Sequence, residues 1–154
     1  MTDSIEIQLD DEEATLGLGE MLSHTLRPGM LITLSGPLGA GKTTLARGVL
    51  RGLGYEGRVK SPTYSLVELY ELSRLDLYHF DFYRFADPAE LIESGLQEAF
   101  NASNVCIVEW AERAAGLLPV ADLEVDLQVA DGGRRARLSA HTEDGKRCLQ
   151  QLQH

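Results

Sequence analysis

Apolar and polar residues alternate from Ser4 to Leu9, with Ile5, Ile7 and Leu9 on one side, which predicts a short strand. Asp10 or Asp11 then caps a helix expected to run to about Leu26, with Leu16, Leu18, Met21, Leu22 and Leu26 as its buried side. Arg27-Pro28-Gly29 breaks that helix. Met30 to Ser35 is a short apolar run suited to a buried strand, and after an intervening glycine-rich segment Leu45 to Leu53 fits a helix ended by Gly54. The stretch Gly57 to Ser65 is polar and turn-rich. Leu66 to Leu72 and Asp76 to Phe82 read as two strands joined near Ser73-Arg74.

Pro88 opens a helix through Leu91 and Ile92 that Gly95 interrupts. Val105 to Val108 is a second fully apolar strand. Leu123 to Val129 and Arg135 to Ala140 form a hairpin around Asp131-Gly132-Gly133, and Thr142 caps a last helix. The sum is an α/β domain with a mixed sheet, and no linker divides residues 1–154 into two domains.

Composition narrows the classes. The apolar share of 44% and the charged share of 25% exclude a dominantly disordered chain. Fourteen Lys and Arg against 24 Asp and Glu leave a formal charge of −10, which argues against gripping nucleic acid by its phosphates. An RNA-linked role would then run through a basic partner protein. Cys106, inside Val105-Cys106-Ile107-Val108, reads as a small core hydrophobe, and with Cys148 it makes no disulfide framework. His24, His79, His141 and His154 are scattered and form no metal cluster with the cysteines. No basic segment followed by an apolar stretch opens the chain, and no apolar run reaches the ~18 residues of a membrane span. A reduced, cytoplasmic setting without a membrane is the expectation.

The chemistry-bearing motif is Gly36-Pro37-Leu38-Gly39-Ala40-Gly41-Lys42-Thr43, which matches G-x-x-x-x-G-K-[ST] between a predicted strand and a predicted helix. Glycines at 36, 39 and 41 let the backbone wrap around phosphate oxygens. Amides of residues 39 to 44 are expected to point inward at the positive end of a helix, so Gly39, Ala40, Gly41, Lys42, Thr43 and Thr44 would cradle the phosphates with Gly36 and Leu38 in the same loop. Lys42 supplies a point charge to the β- and γ-phosphates, and Thr43 offers a hydroxyl to Mg²⁺. A glycine-rich strand-to-helix turn with a chance lysine is the bland alternative.

Phosphate transfer needs a second acidic element to order metal and water. Two candidates close apolar strands. Glu109 follows Val105 to Val108, either as a magnesium-site acid or as a surface glutamate after a core strand. Trp110 beside it either shields the site or covers the core. In His79-Phe80-Asp81-Phe82-Tyr83-Arg84, period-2 alternation sets His79, Asp81 and Tyr83 on one face and Phe80 and Phe82 on the other. Asp81 is a candidate for ordering a metal-bound or attacking water; a wet face on an edge strand is the alternative. Lys60-Ser61-Pro62-Thr63-Tyr64-Ser65 suits a mobile switch sensing the terminal phosphate, or an ordinary loop.

The set GPLGAGKTT, VKSPTYSLV, HFDFYR and VEW, in this order and spacing, resembles the TsaE (YjeE) family from about Asp10 to Arg137. The phosphate loop alone is unspecific; SPTY, H-x-D-x-Y-R and E-W together are particular. Phe82 stands where many relatives carry Leu. The resemblance implies a small P-loop ATPase, a three-layer α/β domain with a mixed, mostly parallel sheet flanked by helices. It implies ATP and Mg²⁺ as ligands, with Thr43 and Glu109 as the protein ligands of the metal and Lys42, Asp81 and Glu109 as the catalytic set. Ser61 and Thr63 would lie in a first switch and Glu109-Trp110 in a second. Thr15 and Arg134 or Arg135 would flank the adenine; Arg134, Arg135 and Arg137 could touch tRNA or adenine, but a solvated hairpin is the favoured reading of these arginines.

The implied role is a subunit needed for N6-threonylcarbamoyladenosine at position 37 of tRNAs reading codons that begin with A. The implied partners are TsaD and TsaB, with tRNA reached only through them. A small P-loop metabolite kinase shares the loop and sheet but would carry an arginine-bearing lid, and Asp87 to Asn101 has no arginine. A nucleotide-dependent binding module with incidental hydrolysis would have no need of Lys42, Thr43, Asp81 and Glu109 together.

Overall fold

The computed structural model describes residues 3–153, so His154 lies outside it. Its elements are β1 (Ser4–Leu9), α1 (Glu12–Ser23), β2 (Leu31–Ser35), α2 (Lys42–Gly52), β3 (Val67–Glu71), β4 (Asp76–Asp81), α3 (Ala89–Ser94), β5 (Asn104–Glu109), β6 (Leu123–Ala130), β7 (Gly133–Ala140) and α4 (Glu143–Leu152). Short 3₁₀ turns span Leu96–Ala99 and Ala111–Ala114. No helix is long and apolar enough to cross a membrane among the described residues.

The seven strands make one sheet in the order β1-β7-β6-β2-β5-β4-β3. β6, β2, β5 and β4 are mutually parallel, while β7 and β3 run against their neighbours. β1 is antiparallel to β7 and so shares the direction of the parallel set. The mixed, mostly parallel sheet expected from the sequence is therefore present. Central parallel strands must be covered on both faces, and their apolar runs reflect this. Leu18 and Leu22 of α1, Leu45, Val49 and Leu50 of α2 and Leu149 of α4 pack with Ile32, Leu34, Leu77 and Ile107 on one face. Phe80, Phe82, Phe85, Leu91, Ala99 and Ala114 cover Leu31, Cys106 and Val108 on the other. Cys106 and Cys148 are buried free thiols, and burial pushes the Cys106 thiol up to about 12.

Several boundaries differ from expectation for local reasons. α1 ends at Ser23 rather than near Leu26, because the Thr25 N–H and hydroxyl both bond the Leu22 carbonyl and turn the chain. Met21 is 48% exposed, since α1 turns its Gly19 side inward instead. α2 begins at Lys42 rather than Leu45, because Gly41 at φ 105° takes the left-handed conformation that lets the helix start directly on the loop. β3 and β4 are each shorter than expected, and their turn falls where Ser73-Arg74 placed it.

Helices α1 and α2 approach so closely that side chains have no room at the crossing. A Cβ on Gly48 would strike the Leu16 carbonyl oxygen and sit 3.0 Å from Gly19 Cα. Gly48→Ala is therefore expected to destabilise the domain by about 1–3 kcal/mol through overpacking. Thermal unfolding checks this; an unchanged melting temperature would mean the two helices separate freely.

Candidate nucleotide-binding site

Parallel pairing brings the candidate residues to one edge. β2, β5 and β4 run the same way, with Leu34 paired to Glu109 and Asp81 paired to Glu109. The loop after β2, the carboxylate ending β5 and the carboxylate ending β4 therefore emerge side by side at the C-terminal ends of the strands, where open α/β sheets take ligands. β4 is an interior strand, not an edge, and His79 and Asp81 are buried. The wet edge-strand alternative does not hold.

Gly36, Leu38, Gly39, Gly41, Lys42, Thr43, Thr44, Ser61, Thr63, Asp81, Glu109 and Trp110, with Pro37 and Tyr83, line one cavity of about 550 Å³. Gly36 needs to be glycine: at φ 138° it turns out of β2 so close to Leu127 that a Cβ would collide with the Leu127 carbonyl oxygen. Leu38 lines the cavity from the loop with its side chain fully exposed. Ala40 is the exception: it is buried beneath the loop, its N–H bonds the Pro37 carbonyl, and it does not line the cavity.

Thr15 and Arg134 line an adjoining cavity of about 440 Å³ together with Asp10, Asp11, Glu12, Gly39, Gly41, Thr44 and the β6–β7 turn at Gly132-Gly133. Arg134 reaches the loop directly, Nη2 donating to the Gly39 carbonyl at 3.0 Å. Arg135 and Arg137 lie on the opposite face of β7, because the buried Ala136 and Leu138 share the side of Arg134.

The charged groups are tied together. Lys42 Nζ donates to the Gly36 carbonyl at 2.8 Å and lies 3.4 Å from Glu109 Oε1. Glu109 Oε2 accepts from His79 Nε2 at 2.8 Å. Burial raises the Glu109 carboxyl, but the hydrogen bond and electrostatic pull of His79, and then of Lys42, outweigh it and hold the carboxyl below its ordinary value. Glu109 is thus ionised at neutral pH and suited to a hard cation. Asp81 Oδ1 accepts the Tyr83 N–H at 2.9 Å, and Oδ2 accepts the Thr63 hydroxyl at 3.2 Å. Thr63 spends its proton there, so Ser61 donates to Thr63 across 2.8 Å. The polar segment after α2 is thereby joined to Asp81, as a switch would be.

Trp110 takes φ 59°, left-handed for a non-glycine residue, directly after β5. Its ring meets Tyr83 edge-on at 5.0 Å, and the Arg113 guanidinium stands 5.4 Å from its centroid. It lines the cavity and belongs to neither apolar core cluster. Arg84 stands 4.9 Å over the Tyr64 ring and makes no bond to Asp81. Two participants were not assigned a role from sequence. The alternation in β4 already set His79 beside Asp81, but its link to Glu109 depends on pairing with a strand 30 residues away. Arg113 carried no sequence signal.

The donors fit a nucleotide with a divalent cation. A positively polarised helix start, a lysine and left-handed glycines face two carboxylates and a threonine hydroxyl across one cavity. Among the described residues no cluster of three or more His, Cys, Asp or Glu forms a self-sufficient metal site, so a cation here would need ligands from phosphate and water.

A family model described as "Threonylcarbamoyl adenosine biosynthesis protein TsaE" matches residues 9–137. The chain is 41% identical over 152 residues to the tRNA threonylcarbamoyladenosine biosynthesis protein TsaE of Haemophilus influenzae, covering 96% of each chain. It is 38% identical over 123 residues to the Bacillus subtilis protein of the same name, covering 80% of this chain and 77% of that one. Its structure superposes on the crystal structure of Bacillus subtilis YdiB with a TM-score of 0.84 at 29% identity, covering 99% of this chain and 96% of the other. Phosphate loop, paired strand-end carboxylates and whole-length similarity converge, and the chain belongs to the TsaE family of threonylcarbamoyl adenosine biosynthesis proteins.

Proposed function

We propose that this chain binds and hydrolyses ATP with Mg²⁺ and acts on a TsaB–TsaD heterodimer. That activity would serve formation of N6-threonylcarbamoyladenosine at position 37 of tRNAs reading codons that begin with A. The observation that carries the reading is the convergence of Lys42, Glu109 and Asp81 on the phosphate-loop cavity through the register of β2, β5 and β4.

In this reading the loop amides and Lys42 would hold the phosphates, and Thr43 and Glu109 would hold Mg²⁺. A divalent cation held there would supply positive charge against that of the phosphates. Lys42 exchanges its bonds to Gly36 and Glu109 for phosphate oxygens. Asp81 releases Thr63 and accepts a proton or hydrogen bond from the attacking water. Trp110 and Tyr83 limit solvent at the mouth. The adjoining cavity with Thr15 and Arg134 is the place for the nucleoside.

A protein partner is supported by the rim. Leu38, Tyr64, Tyr83 and Trp110 are all exposed around the cavity, with Arg84 and Arg113 over the aromatic rings. Aromatic and arginine side chains of this kind are the usual anchors of protein interfaces. The formal charge of −10 leaves tRNA to the partners. Buried free thiols accord with a cytoplasmic setting.

Glu109→Ala is expected to weaken ADP binding in the presence of Mg²⁺ far more than in its absence. Calorimetric titration with and without the metal checks this. Equal losses in the two conditions would make Glu109 a structural residue and remove the metal site from the account.

A further inference from the structure

His79 is 0% exposed and does not line the nucleotide cavity, so neither packing against ligand nor contact with water accounts for it. Its strand neighbour Leu77 and its paired residue Ile107 are apolar core residues, company that an aliphatic side chain would match. A carboxylate only accepts, so Nε2 donates to Glu109 across their 2.8 Å. Nδ1 has no partner. The ring thus gives up water for a single hydrogen bond, and that bond is spent on the site carboxylate.

Glu109 has three rotatable bonds and two anchors. Oε1 faces Lys42 at 3.4 Å, and Oε2 is held by His79. A lysine drawn to phosphate can no longer hold Oε1, which leaves His79 as the anchor that persists. We propose that His79 is a positioning residue that fixes Glu109 through Oε2 and keeps Oε1 aimed into the phosphate-loop cavity to ligate a divalent cation. This inference rests on the nucleotide reading above. Partners of ligating carboxylates that do not themselves touch the metal commonly change metal affinity by about 10–100-fold.

The test uses His79→Leu, which keeps bulk and removes the donor, and His79→Gln, whose amide restores one. Mg²⁺ is titrated calorimetrically against each protein with ADP. His79→Leu should raise the Mg²⁺ half-saturation about tenfold or more, while ADP affinity without Mg²⁺ stays near wild type. His79→Gln should recover much of the loss. In a Glu109→Ala background, His79→Leu should add nothing. Wild-type Mg²⁺ dependence in His79→Leu overturns the proposal. So does an equal loss with and without Mg²⁺, or a loss that persists without Glu109.

A wild-type protein that binds no ADP at all would defeat the nucleotide reading instead, and the link is then read on its own. The His79 Nε2 proton, followed by NMR without nucleotide, should be protected from solvent exchange in wild type and lose that protection in Glu109→Ala. A wild-type proton that exchanges freely, or one indifferent to Glu109, overturns the proposal. That measurement and His79→Gln also decide the matter if His79→Leu does not fold.

Discussion

Lys42→Ala is expected to abolish productive nucleotide handling while leaving the fold intact. Lys42 is the first residue of α2 and only 16% of its side chain is exposed, but its contacts are with the site, not the core. Nζ bonds the Gly36 carbonyl, approaches Glu109 at 3.4 Å and lines the phosphate-loop cavity. Alanine is a favourable helix residue, so α2 loses nothing by propensity. The loss falls on charge: a phosphate contact that strengthens in the transition state is worth about 3–4 kcal/mol, or two to three orders of magnitude in rate. Phosphate release, nucleotide titration and circular dichroism together check this. Wild-type hydrolysis in the variant would reject the loop assignment.

Asp81→Asn is expected to separate binding from hydrolysis. Asparagine can still accept the Tyr83 N–H that Asp81 Oδ1 now takes, so the turn after β4 survives. What it loses is the anionic acceptor that Thr63 occupies at 3.2 Å and that water would occupy in the reading above. ATP affinity should therefore stay within a few-fold, while hydrolysis falls by about 10²-fold or more, as for a lost general base. Steady-state hydrolysis in the assembled complex beside equilibrium binding tests the split. Normal hydrolysis would reduce the H-x-D-x-Y-R segment to a docking or structural feature.

The phosphate loop was legible because its chemistry is local: eight residues, a strand before and a helix after. Alternation likewise placed His79 and Asp81 on one face of β4, while Tyr83, expected on the same face, falls in the turn after the strand. It could not say whether that face was wet, because the answer depends on β3 and β5 flanking β4 and on α2 lying above it. The bond from His79 to Glu109 was hidden for the same reason, since each residue is ordinary within its own strand. Helix ends misled where a single residue decides them, as Thr25 does for α1 by bonding back to Leu22 and Gly41 for α2 by its left-handed backbone. Arg134 rather than Arg135 faces the loop because the β7 register, fixed by Ala136 and Leu138, puts it there.

Hydrolysis at this site is proposed to serve a partner complex. The most direct measurement is to mix the purified chain with ATP and Mg²⁺, with and without TsaB–TsaD, and follow free phosphate and any phosphorylated small molecule. Slow phosphate release that accelerates when TsaB–TsaD is added, and that disappears in Asp81→Asn, is the predicted result. Phosphate transferred to a metabolite, or release indifferent to both TsaB–TsaD and Asp81, would contradict it.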